Sequence, residues 1–181
     1  MEKILLIYNP NSGKKNIAAH LDKITDIFES AGKLVTLYRI DEKNSMSTEE
    51  LIQSGVFDGV VVCGGDGSVN SAAETILKSG RDIPLGVIPN GTCNDFSRSL
   101  GMPSDIIKCA QIIAQGNITR TDIGFINGSE NILVNELAGG VLVSASFSTD
   151  QNMKKIGIND FTFYNYPTGI AASPAWASLP T

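Results

Sequence analysis

A chain of 181 residues is long enough to bury a sizeable core, and 42% hydrophobic with 18% charged residues is a globular balance that excludes a disordered protein. Fourteen Lys and Arg against nineteen Asp and Glu leave a net charge of −5. That surplus argues against nucleic acid as the main partner and offers no general attraction to an anionic membrane.

The elements follow in chain order. Ile4-Leu5-Leu6-Ile7-Tyr8 reads as a first strand, running into Asn9-Pro10-Asn11-Ser12-Gly13. Ile17, Leu21, Ile24, Phe28 and Ala31 recur at spacings of three and four, an amphipathic helix that Gly32 ends. Leu34 to Ile40 is the second strand, and Ser47-Thr48-Glu49-Glu50 has the capping-box form that opens a short helix ending near Gly55. The apolar run Val60-Val61-Val62-Cys63 is a buried strand that delivers the turn Gly64-Gly65-Asp66-Gly67-Ser68-Val69-Asn70, with a helix expected over Val69 to Leu77. Pro84 to Ile88 is another strand, ending in Pro89-Asn90-Gly91-Thr92-Cys93-Asn94-Asp95-Phe96, with a short helix over Phe96 to Leu100. Pro103-Ser104-Asp105 starts a helix with Ile106, Ile107, Ala110 and Ile113 on one face and Gly116 at its end.

Strands alternating with helices imply an α/β fold with a mainly parallel, doubly wound sheet. After Gly116 the pattern changes: Thr119 to Phe125 and Ile132 to Asn135 are strand-like and flank Asn127-Gly128, a hairpin signal that predicts a switch to antiparallel pairing. Phe161 to Tyr166 is a further strand candidate, followed by a tail of small residues and proline from Ala171 to Thr181. The expected division is a nucleotide-binding α/β domain over 1–125 and the start or remnant of a β-rich domain over 126–181. The N-terminus enters a strand directly and no apolar run approaches ~18 residues, so a cytoplasmic protein without signal peptide or membrane span is expected. Cys63, Cys93 and Cys109 lack metal-ligand or redox spacing and fit a reducing compartment. His20 has no partner at ligand spacing and receives no role.

The chemistry lies in the three strand ends. Glycine after a strand lets backbone N–H groups approach a phosphate without an intervening Cβ, and a following helix N-terminus adds a favourable dipole. Ligands of open α/β sheets bind beyond the carboxyl ends of the strands, where Gly, Ser or Thr, Asn and Asp here converge. Asp66 would repel phosphate unless a cation or a proton-transfer role intervenes.

In this order, Asn-Pro-x-Ser-Gly, Gly-Gly-Asp-Gly-Ser-x-Asn and Pro-x-Gly-Thr-x-Asn-Asp-Phe resemble the catalytic domain of the diacylglycerol kinase and sphingosine kinase family, bacterial lipid kinase type. Asp122-Ile123-Gly124 and the stretch Asn135 to Gly140 match further elements, and the resemblance covers roughly Ile4 to Ile156. It implies a transferase that moves the ATP γ-phosphoryl group to a lipid hydroxyl such as that of diacylglycerol, in lipid metabolism, with ATP and Mg²⁺ as cofactors. Asn9, Asn11, Ser12, Gly13, Gly64, Gly65, Asp66, Gly67, Ser68, Gly91 and Thr92 are the implied nucleotide contacts. Asp66 and Asp95 are the implied catalytic residues, and Asp66, Asp95 and Asp122 would hold magnesium through water. The partners implied are ATP and a membrane lipid acceptor, with peripheral membrane contact; homo-oligomerisation stays open. The family's general base belongs to its second domain and has no counterpart in these residues. An NAD kinase-like enzyme, which shares Gly-Gly-Asp-Gly, and a nucleotide-binding module without transfer activity are the alternatives.

Overall fold

The structure is a computed structural model, and it describes residues 2–10, 17–40, 46–121, 123–126, 131–133 and 161–164. Four strands form a parallel sheet: β1 (Lys3–Tyr8), β2 (Leu34–Arg39), β3 (Gly59–Gly64) and β4 (Leu85–Pro89), in the order β2-β1-β3-β4. The register pairs Leu6 with Leu37 and Val61, and Val62 with Val87. β3 is buried along its whole length because it is flanked by strands on both edges and helices on both faces, which explains its unbroken Val-Val-Val-Cys run.

The helices are α1 (Leu21–Ser30), entered through a 3-10 turn at Ile17–His20, then α2 (Thr48–Gln53), α3 (Asp66–Lys78), α4 (Asp95–Ser99) and α5 (Ile106–Ala114). The chain steps outward from β1 to β2, then back past β1 to β3. Right-handed crossovers therefore send α1 to one face and α2 and α3 to the other. The core has that form. Ile24 and Phe28 of α1, with Cys109 and Ala110 of α5, pack on Ile4, Leu6, Val61, Cys63 and Ile88. On the opposite face Ile52 of α2 and Ile76 of α3 pack on Leu5, Ile7 and Val60. Each fully buried Ile, Leu or Val contributes roughly 1.5–3 kcal/mol, against helix-propensity differences of up to ~0.7 kcal/mol per residue, so packing on the sheet decides where these helices lie.

Local signals set the boundaries. The capping box at α2 is complete: Ser47 Oγ accepts from Glu50 N (3.1 Å) and Glu50 Oε2 from Ser47 N (2.6 Å). Asp105 Oδ1 accepts from the Ile107 and Lys108 amides and caps α5. After α3, Arg81 reaches back across the fold; its guanidinium donates to the carbonyls of Ile52 (3.0 Å) and Phe57 (2.8 Å) and satisfies acceptors at the end of α2.

α3 starts earlier than its periodicity suggests, at Asp66 rather than Val69. Gly65 is its extended N-cap (φ −92°, ψ −176°), and Asp66, Gly67 and Ser68 form its first turn. The strand passes into the helix almost without a loop, because a Cβ on Gly64 would stand 2.6 Å from Ser68 Cβ and only glycine permits that fold-back.

Beyond α5 the pairing becomes antiparallel, as expected. β5 (Ile123–Ile126) lies between β6 (Asn131–Leu133) and β7 (Phe161–Tyr164) in a second sheet of order β6-β5-β7. Phe161–Tyr164 is thus a strand, and Asn165 and Tyr166 lie outside the described residues. Asn127 and Gly128, the stretches Asn135 to Gly140 and Val141 to Ile156, and the tail from Ala171 lie outside the described residues. Ile123 packs with Val62, Val87 and Phe96, so β5 starts against the α3 side of the first sheet. Among the described residues no helix is long and apolar enough to cross a membrane.

Candidate functional site

The strand order reverses between β1 and β3, which places a crevice at their carboxyl ends. Asn9 follows β1 and is half-buried, Gly65 follows β3, and Asn90 follows β4. Asn11, Ser12 and Gly13 lie outside the described residues.

The β3 and β4 ends are joined backbone to backbone. The Asn90 amide donates to Gly64 O at 2.9 Å, extending the ladder past the strands. One residue on, Gly91 meets Gly65 so closely that a Cβ on Gly91 would stand 2.4 Å from Gly65 Cα. The β4 loop could not make this approach with a side chain at Gly91, and a Cβ on Gly65 would stand a tight 3.1 Å from Gly91 Cα. Thr92 and Cys93, beyond the contact, are exposed.

Asn94 holds that approach from the other side. Its Oδ1 accepts from the Gly91 amide (2.8 Å) and its Nδ2 donates to Gly91 O (2.9 Å). Among the described residues it is the one non-glycine with positive φ (55°, ψ 44°). The left-handed region costs a typical residue roughly 1–2 kcal/mol, and Asn visits it more readily than most. Two hydrogen bonds at about 0.5–1.5 kcal/mol each are enough to hold it there. Asn94 was absent from the site residues drawn from the sequence, although an Asn three positions after a loop glycine is a residue suited to this conformation.

The carboxylates divide. Asp66, the first residue of α3, accepts from the Phe96 amide through Oδ1 at 3.0 Å, which ties the first turn of α3 to that of α4. Its second oxygen has no partner among the described residues, so it offers a hard oxygen donor at the crevice. Asp95 opens α4 with Asn94 as N-cap, and it pairs with Arg98 one turn along the same helix. That pair is solvent-facing and worth about 0–1 kcal/mol, so Asp95 is readily exchanged to another cation. Asp122 lies outside the described residues, and among those described no three His, Cys, Asp or Glu side chains stand together as a metal-binding group.

Gly67 differs from the other loop glycines. It is exposed in the first turn of α3, a Cβ there would meet nothing within 4 Å, and its φ is not positive. Packing therefore does not require it, and glycine weakens a helix relative to alanine. The Asp66 and Gly67 amides belong to the helix end that has no carbonyl of its own turn to bond. Ser68 and Val69 are already satisfied by Gly65 O (2.9 and 3.1 Å).

The cysteines divide by burial. Burial pushes the Cys63 thiol up to about 12 and the Cys109 thiol up to about 11, so both are inert packing groups, as expected. Cys93 is exposed on the loop tip.

Comparison with known proteins agrees with this arrangement. The family model for the diacylglycerol kinase catalytic domain matches residues 3–126. A diacylglycerol kinase of Staphylococcus saprophyticus is 35% identical over 162 residues, which is 88% of this chain and 52% of that protein. A diacylglycerol kinase of Staphylococcus aureus is 34% identical over 160 residues, covering 88% of this chain and 50% of that one. The crystal structure of a diacylglycerol kinase from Bacillus anthracis superposes with a TM-score of 0.63 at 31% identity, over 72% of this chain and 45% of the other. The chain thus spans about half the length of the curated relatives it matches. By the match over residues 3–126, the chain belongs to the diacylglycerol kinase catalytic domain family.

Proposed function

We propose that this chain supplies the nucleotide-binding part of an ATP-dependent lipid kinase that transfers the γ-phosphoryl group to a lipid hydroxyl such as that of diacylglycerol. The observation that carries the reading is Gly67, an exposed helical glycine at the switch-point crevice that packing does not explain and a close-lying phosphate would. The names of the relatives support the acceptor class.

In this reading the amides at the start of α3 face the phosphates, where the dipole of a 13-residue helix favours negative charge. The Thr92 hydroxyl and Asn9 stand at the same crevice, and Asn11, Ser12 and Gly13 are assigned as further phosphate contacts by their motif alone. Such transfers depend on positioning and on neutralising phosphate charge, and magnesium, when bound, supplies that neutralisation. The second oxygen of Asp66 fits that ion through water, with Asp95 and Asp122 as its companions. Residues 1–125 form the nucleotide part and 126–181 belong to a β-rich part. An acceptor in a bilayer requires peripheral contact with its surface.

The test joins the chain to the second domain of a full-length relative, to which the family's general base belongs, and supplies ATP labelled in its γ-phosphate, magnesium, and either diacylglycerol vesicles or NAD. Label in the lipid is the expected result. Label in NAD would favour the NAD kinase-like alternative, and nucleotide binding with no transfer to either would favour a binding module; both outcomes overturn the reading.

A further inference from the structure

Asn94 begins α4 yet makes no cap bond to it. Asn at an N-cap ordinarily accepts from an amide of the first helical turn. Here the side chain turns back and occupies both polar backbone groups of Gly91. It does so from the left-handed backbone conformation, and its own carbonyl is held by the Ser97 hydroxyl at 2.9 Å. Gly91 in turn stands against Gly65 with no room for a Cβ on its side of the contact. The loop is thus fixed at two points, by Asn94 through Gly91 and by the Phe96 amide on Asp66, while Thr92 and Cys93 between them face solvent.

We infer that Asn94 is a positioning residue for the nucleotide phosphates, acting through Gly91 to hold the β4–α4 loop against the first turn of α3. This rests on the nucleotide reading above and adds a residue to it. The clasp sets how far Thr92 stands from the α3 amides, so its loss falls on the phosphate part of the ligand and spares the nucleoside part. Three observations converge on one link: the forgone cap, the use of both amide groups on one residue, and the glycine contact it secures.

The test compares Asn94→Gly with the unmodified chain in calorimetric titrations with ATP and with adenosine, in magnesium. Glycine adopts the left-handed conformation without strain, so the backbone path is kept and only the clasp is lost. The expected result is an ATP affinity about tenfold lower, with adenosine affinity unchanged and a melting temperature within a few degrees. An unaltered preference for ATP over adenosine in folded Asn94→Gly would overturn the inference. An unmodified chain that shows no preference for ATP over adenosine would instead overturn the nucleotide reading itself. Should the variant not fold, amide exchange in the unmodified chain decides. The Gly91 N–H should be protected before nucleotide is added, and free exchange there would refute the clasp.

Discussion

Replacing Gly67 by alanine separates what the fold asks of this residue from what a ligand asks. A Cβ at position 67 meets nothing within 4 Å, and the residue has helical backbone in the first turn of α3. Alanine is favoured over glycine in helices by roughly 0.5–1 kcal/mol, with the lower end apt for a first turn that is only half hydrogen-bonded. Gly67→Ala should therefore raise Tm by roughly 1–3 °C for a domain of this size. The same methyl enters open space at the first turn of α3, where the proposed function puts the phosphates.

Displacing a phosphate by a fraction of an ångström weakens several charge-assisted hydrogen bonds together, so ATP affinity should fall by about tenfold, or ~1.4 kcal/mol, and further for Gly67→Val. Scanning calorimetry gives the first quantity and titration with magnesium-ATP the second. A more stable variant that binds ATP less well is the expected pair of results. If both variants bind ATP as the unmodified chain does, the glycine has no ligand role and the phosphate site lies elsewhere.

Gly91→Ala should behave in the opposite way, losing about 1–3 kcal/mol of stability together with nucleotide binding, because its Cβ would stand 2.4 Å from Gly65 Cα; a normal melting curve would refute the contact. Asp66→Asn keeps an acceptor for the Phe96 amide while removing the charge, so Tm should hardly move while lipid phosphorylation by the complete enzyme falls by roughly 10²–10³; equal turnover would remove Asp66 from the chemistry. Arg81→Ala should cost about 2 kcal/mol by removing the charged donor shared by the Ile52 and Phe57 carbonyls, and Lys should recover little because it lacks the planar fork; a urea titration reads both. The Lys3 and Glu2 amides hold the Asp58 carboxyl below its ordinary value of 3.8, so its stabilisation is complete above that pH and is lost as pH falls below it. Asp58→Asn should accordingly flatten the acid limb of a Tm-against-pH curve, and an unchanged limb would assign it to other groups.

What the sequence could disclose follows from the range of the interactions involved. The capping box at Ser47 and Glu50 and the cap at Asp105 act over three residues, so residue type and spacing specify them completely. The parallel sheet was legible for a similar reason: unbroken apolar runs such as Val60 to Cys63 admit few environments other than a strand covered on both faces. The onset of α3 was not, because a glycine-rich stretch counts against a helix by propensity. Here the tight fold-back at Gly64 and the packing of Val69, Ala72 and Ala73 override that preference.

The links that build the site run between distant parts of the chain. Nothing local to Asp66 shows that its carboxylate will meet an amide thirty positions later, and nothing near Arg81 points to carbonyls after α2. Glycine is the sharpest case, since one letter covers two different demands at this crevice. Gly64 and Gly91 leave room for neighbouring protein atoms, Asn94 takes the left-handed geometry that glycine would otherwise supply, and Gly67 leaves room for nothing the fold contains. A motif match treats these positions alike. Building a Cβ on each separates them, and it isolates Gly67 as the position where the fold makes no demand and a ligand has reason to.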